Sequence, residues 1–122
     1  MKKILELEFT LNCSPTILFP RLSSSSGLTG WFADKVSNKG ELFTFRWQQF
    51  ENIARQSDCI ENMRVRYHWL DEMGYFDFRI VVNEMTGQTT LFIRENTDED
   101  EIETAMTLWN TQIANLKRLI GC

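Results

Sequence analysis

Hydrophobic and polar positions alternate strictly near the start of the chain. Over residues 3–12, Leu5, Leu7, Phe9 and Leu11 fall on one face, and mostly polar residues fall on the other. A period of two residues is that of a half-buried β-strand, whose side chains point alternately to the two faces of a sheet. The pattern therefore predicts a first strand over 3–12.

A short helix is predicted directly after this strand. Ser14 is a suitable N-cap, and Pro15 suits the first helical position because its missing N–H has no helical partner there. Pro20 lies within the apolar stripe that follows and should limit the length of this helix.

A run of four serines, residues 23–26, separates this helix from the next apolar stretch. Leu28, Trp31 and Phe32 then recur at helical spacing, which favours a turn between two short helices with the last serine as N-cap. The alternative interpretation is a flexible loop open to phosphorylation. The polar segment 34–40, which ends in Lys-Gly, is predicted to be a turn.

From residue 41 to residue 95 the period is again mostly two. The positions that share the apolar face are Phe43, Phe45 and Trp47, then Met63, Val65, Tyr67 and Trp69, then Phe76, Phe78, Ile80 and Val82, then Leu91 and Ile93. A weaker segment at 51–56 places Ile53 between polar neighbours. Turns at 71–74 and 86–87 are short, so neighbouring strands should pair antiparallel.

The last segment has the period of an amphipathic helix of about six turns. Asn96 or Thr97 is its predicted cap, and Gly121 is its predicted stop. The apolar positions recur every three or four residues, at Ile102, Met106, Trp109, Ile113, Leu116 and Ile120. This face needs a partner, and the aromatic face of the sheet is the only large apolar surface predicted. The pattern therefore favours an α+β fold.

Composition and charge narrow the class of protein. The chain has 122 residues, of which 43% are hydrophobic and 25% are charged, so we expect one globular domain spanning 1–122. The net charge of −4 disfavours nucleic acid as a partner, because nucleic-acid-binding domains carry a basic excess. No apolar stretch approaches 18 residues, so we expect no membrane span.

The three cysteines are scattered along the chain. Cys13, Cys59 and Cys122 form no CxxC pair and are odd in number, which argues against a disulfide framework and against a structural zinc site. Free thiols fit a reducing compartment, so we expect a cytoplasmic protein without a metal or cofactor. Cys13 and Cys59 are weak candidates for a nucleophile, since no base is visible beside either.

Two charged clusters have both a functional and a structural interpretation. His68, the only histidine, shares its strand face with Arg64 and Arg66, which favours an exposed residue over a general base. The arginines of the sheet form either an anion-binding or docking patch or, as we favour, cross-strand pairs with acidic residues. The acidic run 98–103 suits a helix N-terminus better than a calcium loop, because it lacks the glycine of such a loop.

Three stretches of the chain together resemble the START-like superfamily, also called the helix-grip or birch-pollen-allergen-like fold. They are Leu7-Glu8-Phe9 running into Ser14-Pro15 and Leu18-Phe19, then Gly27-Leu28-Thr29-Gly30-Trp31-Phe32-Ala33-Asp34, then Leu108-Trp109-Asn110 with Leu116-Lys117-Arg118-Leu119. The branch that they resemble most is the one related to the activator of the ninety-kilodalton heat-shock chaperone's ATPase.

The resemblance implies a curved antiparallel sheet of about six or seven strands around a long C-terminal helix. Two short helices should follow the first strand. Many members of this superfamily keep an apolar cavity between sheet and helix for a lipid or another hydrophobic compound. Others are co-chaperones, and some are cyclases or hydrolases, so the fold alone does not determine function.

A set of large side chains should face the C-terminal helix and is the candidate ligand-pocket wall. Its members are Trp31, Phe43, Phe45, Trp47, Tyr67, Trp69, Phe78, Met106, Trp109 and Ile113. Two interpretations remain open, because ligand sites are apolar but large side chains in a short chain also fill a close-packed core.

Three functions follow from these observations. The leading hypothesis is a non-enzymatic domain that binds a small hydrophobic ligand between the sheet and the helix. The alternative is a protein-interaction module, similar to the co-chaperones, with a filled core. An enzyme of the cyclase or hydrolase type is a weaker third, since no acid–base pair is visible. The chain is expected to be either a monomer or a homodimer.

Overall fold

The structure is a computed structural model that describes residues 2–71 and 74–122. Its elements, in chain order, are β1 (Lys2–Leu11), α1 (Pro15–Ser23), α2 (Ser25–Leu28), β2 (Lys35–Lys39), β3 (Leu42–Trp47), β4 (Phe50–Ile60), β5 (Arg64–Trp69), β6 (Tyr75–Val82), β7 (Thr89–Asp98), a 3₁₀ turn (Glu99–Glu101) and α3 (Ile102–Ile120). The predicted turn at 71–74 includes Glu72 and Met73, which lie outside the described residues.

The strands form one curved sheet in the order β1-β7-β6-β5-β4-β3-β2, and every neighbouring pair is antiparallel. Strands β2 to β7 follow one another as a meander, and β1 closes the other edge by pairing with β7. The long helix α3 and the short helices α1 and α2 follow the predicted order. The predicted α+β fold, with its curved sheet and C-terminal helix, is confirmed.

Alternation along the strands sends large side chains into the space between sheet and helices. Phe45, Tyr67, Phe76 and Phe78 are almost completely inaccessible to solvent. Tyr67 and Phe76 lie opposite each other on β5 and β6, and their rings stack with centroids 4.9 Å apart. The middle of the molecule is therefore filled by aromatic rings rather than hollow.

The convex face of the sheet carries cross-strand ion pairs. Asp77 of β6 lies between Arg66 of β5 and Arg94 of β7, at 2.8 and 3.0 Å. Arg46 of β3 pairs in the same way with Glu51 of β4, at 2.8 Å. The interpretation of the arginines as a face of paired charges is confirmed, since opposite charges across strands stabilise a solvated sheet.

The serine run caps the second helix, but not with the residue that the sequence suggests. The hydroxyl of Ser24, rather than that of Ser26, accepts the N–H of Gly27 at 3.0 Å. The same hydroxyl donates to the Pro20 carbonyl at 2.7 Å, and α1 ends at Ser23, three residues past Pro20. Side-chain bonding to backbone groups is the usual role of serine at helix ends.

The predicted helix through Trp31 and Phe32 is wrong, because α2 ends at Leu28. Gly30 takes a φ of +98°, a left-handed conformation that glycine adopts without a steric penalty, and the chain turns there. The Trp31 indole N–H then donates to the carbonyls of Arg21 and Gly27, both at 3.0 Å. The turn thus carries both aromatic side chains into the core.

Two strands extend further than the sequence indicates. Residues 35–39, predicted as part of a turn, form edge strand β2, in which Val36 lies opposite Phe45. Strand β7 continues to Asp98 because β1 pairs with it over ten residues. The predicted caps Asn96 and Thr97 are therefore strand residues.

The C-terminal helix is shorter than predicted but ends where expected. α3 has 19 residues, about five turns, and begins after the 3₁₀ turn. Gly121 ends it in the left-handed conformation at a φ of +73°, as predicted. Met63 and Val82, predicted to face the core, are 52% and 40% exposed, since the first precedes β5 and the second ends β6.

Replacing Tyr67 with Phe tests the link between the sheet and α1. The Tyr67 hydroxyl donates to the Leu22 carbonyl at 2.6 Å and accepts the Gln56 side-chain amide at 3.1 Å. Its loss leaves a buried carbonyl without this donor, so the free energy of unfolding should fall by about 1–3 kcal/mol in urea denaturation. The matched control, Tyr75→Phe, should change it by less than about 0.5 kcal/mol. Equal losses in the two variants would contradict this assignment.

Candidate functional site

A groove opens between one end of the sheet and the first half of α3. Its volume is about 430 Å³. Its lining residues are Phe32, Trp47, Phe50, Asn52, Trp69, Phe76, Glu95, Thr97, Glu101, Thr104, Ala105, Leu108, Trp109 and Gln112. Six of the fourteen are Phe or Trp, so the lining of this groove is strongly aromatic.

The floor of the groove is formed by side chains from four of the strands. They are Trp47 of β3, Trp69 of β5, Phe76 of β6 and Glu95 of β7, which all line the groove. Phe76 and Glu95 lie directly opposite each other across β6 and β7. Trp69 contacts Phe76, with ring centroids 5.2 Å apart, and lies 6.5 Å from Trp47 at a tilt of 52°. The register of the sheet therefore determines which side chains form the floor.

The back wall of the groove is Phe32, held by contacts to both the sheet and the helix. Its ring stacks on Phe76 at 4.9 Å. Its carbonyl accepts the Trp47 indole N–H at 3.1 Å and the Gln112 side-chain amide at 2.9 Å. One carbonyl thus connects β3 to α3 through the turn that follows α2, and we call this arrangement the Phe32 clamp.

The mouth of the groove is apolar and exposed. Phe50, at the start of β4, is 61% exposed and stacks on Trp47 at 4.9 Å. Leu108 of α3 lines the other side and is 55% exposed. Large apolar side chains at the mouth of an apolar groove are typical of a binding site.

The charge in the groove comes from carboxylates. Glu95 lies on the floor, where its Oε1 accepts the Trp109 indole N–H at 3.0 Å. Glu101 lies at the rim, at the end of the 3₁₀ turn. This hydrogen bond orients both the indole of Trp109 and the carboxylate of Glu95.

The structure brings three of the ten predicted wall residues to the groove. Trp47, Trp69 and Trp109 line it. Six others are packed in the filled core and do not line it: Trp31, Phe43, Phe45, Tyr67, Phe78 and Ile113. Met106 is 38% exposed and also lies outside the groove lining, because Ala105 and Trp109 occupy the side of α3 that faces the groove.

Sequence reasoning missed Phe32, Phe50, Phe76, Glu95 and Gln112 as lining residues. Two of them had a usable signal, since the alternation that turns Phe78 and Ile93 inward also turns Phe76 and Glu95 inward. No sequence signal indicated Phe32, because it reaches the groove through a turn whose apolar residues have the spacing of a helix. Phe50 depends on where β4 starts, and sequence patterns place such boundaries poorly. Gln112 lies three residues after Trp109 on the buried face of α3, but it is polar and so does not belong to the apolar stripe that predicted this face.

The other candidate chemistry lies away from the groove. His68 is exposed on the convex face, with its ring 6.1 Å from that of Tyr75. Burial and a hydrogen bond with Cys122 raise the pKa of the Cys13 thiol to about 12. Burial, followed by the Asp58 carboxylate, raises the pKa of Cys59. Both thiols are therefore protonated at neutral pH, which opposes a nucleophilic role.

Two further findings concern the part of the chain that the structure describes. No group of three or more His, Cys, Asp or Glu residues there could hold a metal ion. No helix over those residues has the length and apolar character needed to cross a membrane. A second depression, of about 720 Å³, lies between residues 11–15 and the turn at 86–89, and its described lining holds neither an aromatic nor a charged side chain.

Comparisons with known proteins agree with this architecture. A family model described as a START-like superfamily domain matches residues 1–122. Among solved structures, the Aha1 dimer from Colwellia psychrerythraea has a TM-score of 0.82 at 19% identity, and the alignment covers 97% of this chain and 96% of that one. A protein from Mesorhizobium loti has a TM-score of 0.84 at 16% identity, with 98% and 97% covered. At these identities the likeness shows the fold alone, and no curated protein matches the sequence.

Replacing Gln112 with Met tests the Phe32 clamp. The change keeps the length of the side chain but removes the donor to the Phe32 carbonyl, so the free energy of unfolding should fall by about 1–2 kcal/mol in urea denaturation. Gln49→Met makes the same change in an exposed turn and should have little effect. An unaltered stability for Gln112→Met would contradict the clamp.

Proposed function

The chain belongs to the START-like superfamily, and from that premise we propose that residues 1–122 act as one domain that binds a small hydrophobic ligand in the groove. The observation that carries the proposal is the aromatic groove between the sheet and α3, at which Trp47 and Trp69 remain partly exposed and Phe50 is exposed. Small-molecule sites are typically concave and apolar, with a few polar groups that fix orientation.

The size of the groove limits the ligand. Pockets for small molecules have volumes of about 300–1,000 Å³, so 430 Å³ suits a compact compound. The core beyond Phe76 is filled by rings, so the ligand does not extend into the middle of the molecule. We therefore propose a ligand of one or two rings, or of similar bulk, that stacks on the tryptophans of the floor.

The energetics of such binding are modest. Burial of about 200 Å² of apolar ligand surface contributes roughly 5 kcal/mol of transfer free energy. The loss of translational and rotational freedom offsets part of this gain. We therefore expect dissociation constants in the micromolar range or weaker for simple probes.

The exposed mouth favours a second candidate function, a protein-interaction module. Phe50 and Leu108 present apolar surface beside the groove, and a side chain of a partner protein would fit between them. One solved relative of the same fold is a dimer. Light scattering, which measures the mass of the particle in solution, tests whether the chain self-associates through the mouth. If it does, Phe50→Ser should convert a dimer to a monomer.

Blocking the groove tests the leading proposal. Ala105 of α3 lines the groove, whereas Ala114 of the same helix is exposed. Ala105→Leu adds side-chain volume where the ligand is proposed to lie, and should weaken binding of the neutral two-ring fluorescent probe Prodan by about tenfold or more, because overpacking excludes it. Ala114→Leu is the matched control and should bind like the unaltered protein. The proposal fails if the unaltered protein does not bind the probe, or if both variants bind it equally well.

A further inference from the structure

We infer that the groove selects a compact neutral carbonyl compound, such as an aromatic ketone, whose oxygen accepts the indole N–H of Trp69. This inference rests on the proposed function, that the groove holds a small hydrophobic ligand. It adds the chemical group by which that ligand is recognised, which is read from the polar groups of the lining that have no partner in the protein.

The four tryptophans of the chain differ in what their indole N–H groups contact. Those of Trp31, Trp47 and Trp109 donate to oxygens of the protein at 3.0 or 3.1 Å. The N–H of Trp69 has no acceptor within hydrogen-bonding distance among the described residues. An indole can donate but not accept, so its partner must be a group with a lone pair. Because Trp69 is partly exposed and lines the groove, a ligand can supply that group.

The N–H of Trp69 lies close to β7. A Cβ placed on Gly74 would be 3.6 Å from Cδ1 of Trp69 and 3.7 Å from the carbonyl oxygen of Asn96. Since Cδ1 is bonded to the indole nitrogen, the edge of the ring that carries the N–H lies at Gly74, beside the segment of β7 that holds Thr97. Trp69 and Thr97, which both line the groove, therefore lie at the same end of it.

Two further lining residues have hydrogen-bonding capacity that the protein does not use. Thr97 is 8% exposed and makes no side-chain hydrogen bond among the described residues, yet its hydroxyl is not sealed from solvent, so it opens into the groove. The side-chain oxygen of Asn52 accepts the backbone N–H of Ile53 at 2.9 Å, which leaves the amide N–H groups of Asn52 as donors. A ligand with an acceptor oxygen suits these groups.

The acceptor of the ligand is inferred to be uncharged. None of the described residues that line the groove is Lys, Arg or His, so an anionic ligand would lose hydration there without a cation beside it. Glu101, at the rim, would also repel an anion. A ketone oxygen accepts a hydrogen bond without either cost. A fatty acid is therefore a poor fit, and a neutral carbonyl compound is a good one.

Two probes of nearly equal shape test this inference. Acetophenone has a carbonyl oxygen where α-methylstyrene has a CH₂ group, and the dissociation constant of each is measured by ligand-observed NMR titration. Trp69→Phe keeps an aromatic ring but removes the N–H, so acetophenone should lose about threefold to tenfold more affinity than α-methylstyrene. Trp47→Phe is the matched control, because it makes the same change in a lining residue whose N–H is already bonded to the Phe32 carbonyl. It should weaken both probes equally.

The outcomes separate this inference from the proposed function. If both probes bind the unaltered protein but Trp69→Phe changes their affinities equally, the inference is overturned and the proposed function stands. A selective loss of acetophenone that is as large in Trp47→Phe as in Trp69→Phe would also overturn the inference. If neither probe binds the unaltered protein, both fail.

The exchange of indole protons with water gives a second measurement that needs no variant. In the free protein the Trp69 proton should exchange fastest of the four, because the other three are hydrogen-bonded to the protein. Acetophenone near saturation should slow this exchange about threefold or more. If the Trp69 proton of the free protein is as protected as that of Trp109, it already has an acceptor, and the inference is overturned.

Discussion

The carbonyl oxygen of Phe32 is the point at which the three parts of the groove meet. It accepts hydrogen bonds from the sheet, through Trp47, and from α3, through Gln112. The Phe32 ring stacks on Phe76 in the floor. A backbone carbonyl in a turn has two lone pairs to satisfy, and here both are used to set the distance between sheet and helix. The groove keeps its width because this clamp holds its back wall.

The groove exists because α3 covers its part of the seven-stranded sheet unevenly. Toward the middle of the sheet, α3 contributes Trp109, Ile113 and Leu116, and the space beneath is filled. Near its start the helix contributes Thr104 and Ala105, which are too short to fill the space above the aromatic row. The pairing of β7 with β1 through Asp98 delays the start of the helix and so fixes which short side chains lie there.

Periodicity predicted most of the fold, because alternation along a strand and the spacing of a helix are properties of the local sequence. The strands around Tyr67 and Phe78 and the stop at Gly121 follow from it directly. Long-range pairing overrode local preference at Asn96 and Thr97, where β1 extends β7. The groove was only partly predictable. Trp47 and Trp69 reach it through strand alternation and Trp109 through the helical period, whereas Phe32 reaches it through a glycine-dependent turn.

The central claim is that a ligand binds above the aromatic floor, and the four indole N–H signals of the protein test it most directly. In a ¹H–¹⁵N correlation spectrum titrated with the neutral two-ring probe Prodan, the account predicts that the signals of Trp47, Trp69 and Trp109 move. Trp31, whose indole is bonded to the carbonyls of Arg21 and Gly27 outside the groove, should remain nearly unchanged. If no indole signal moves at saturating probe, or if Trp31 moves as far as the other three, the account is contradicted.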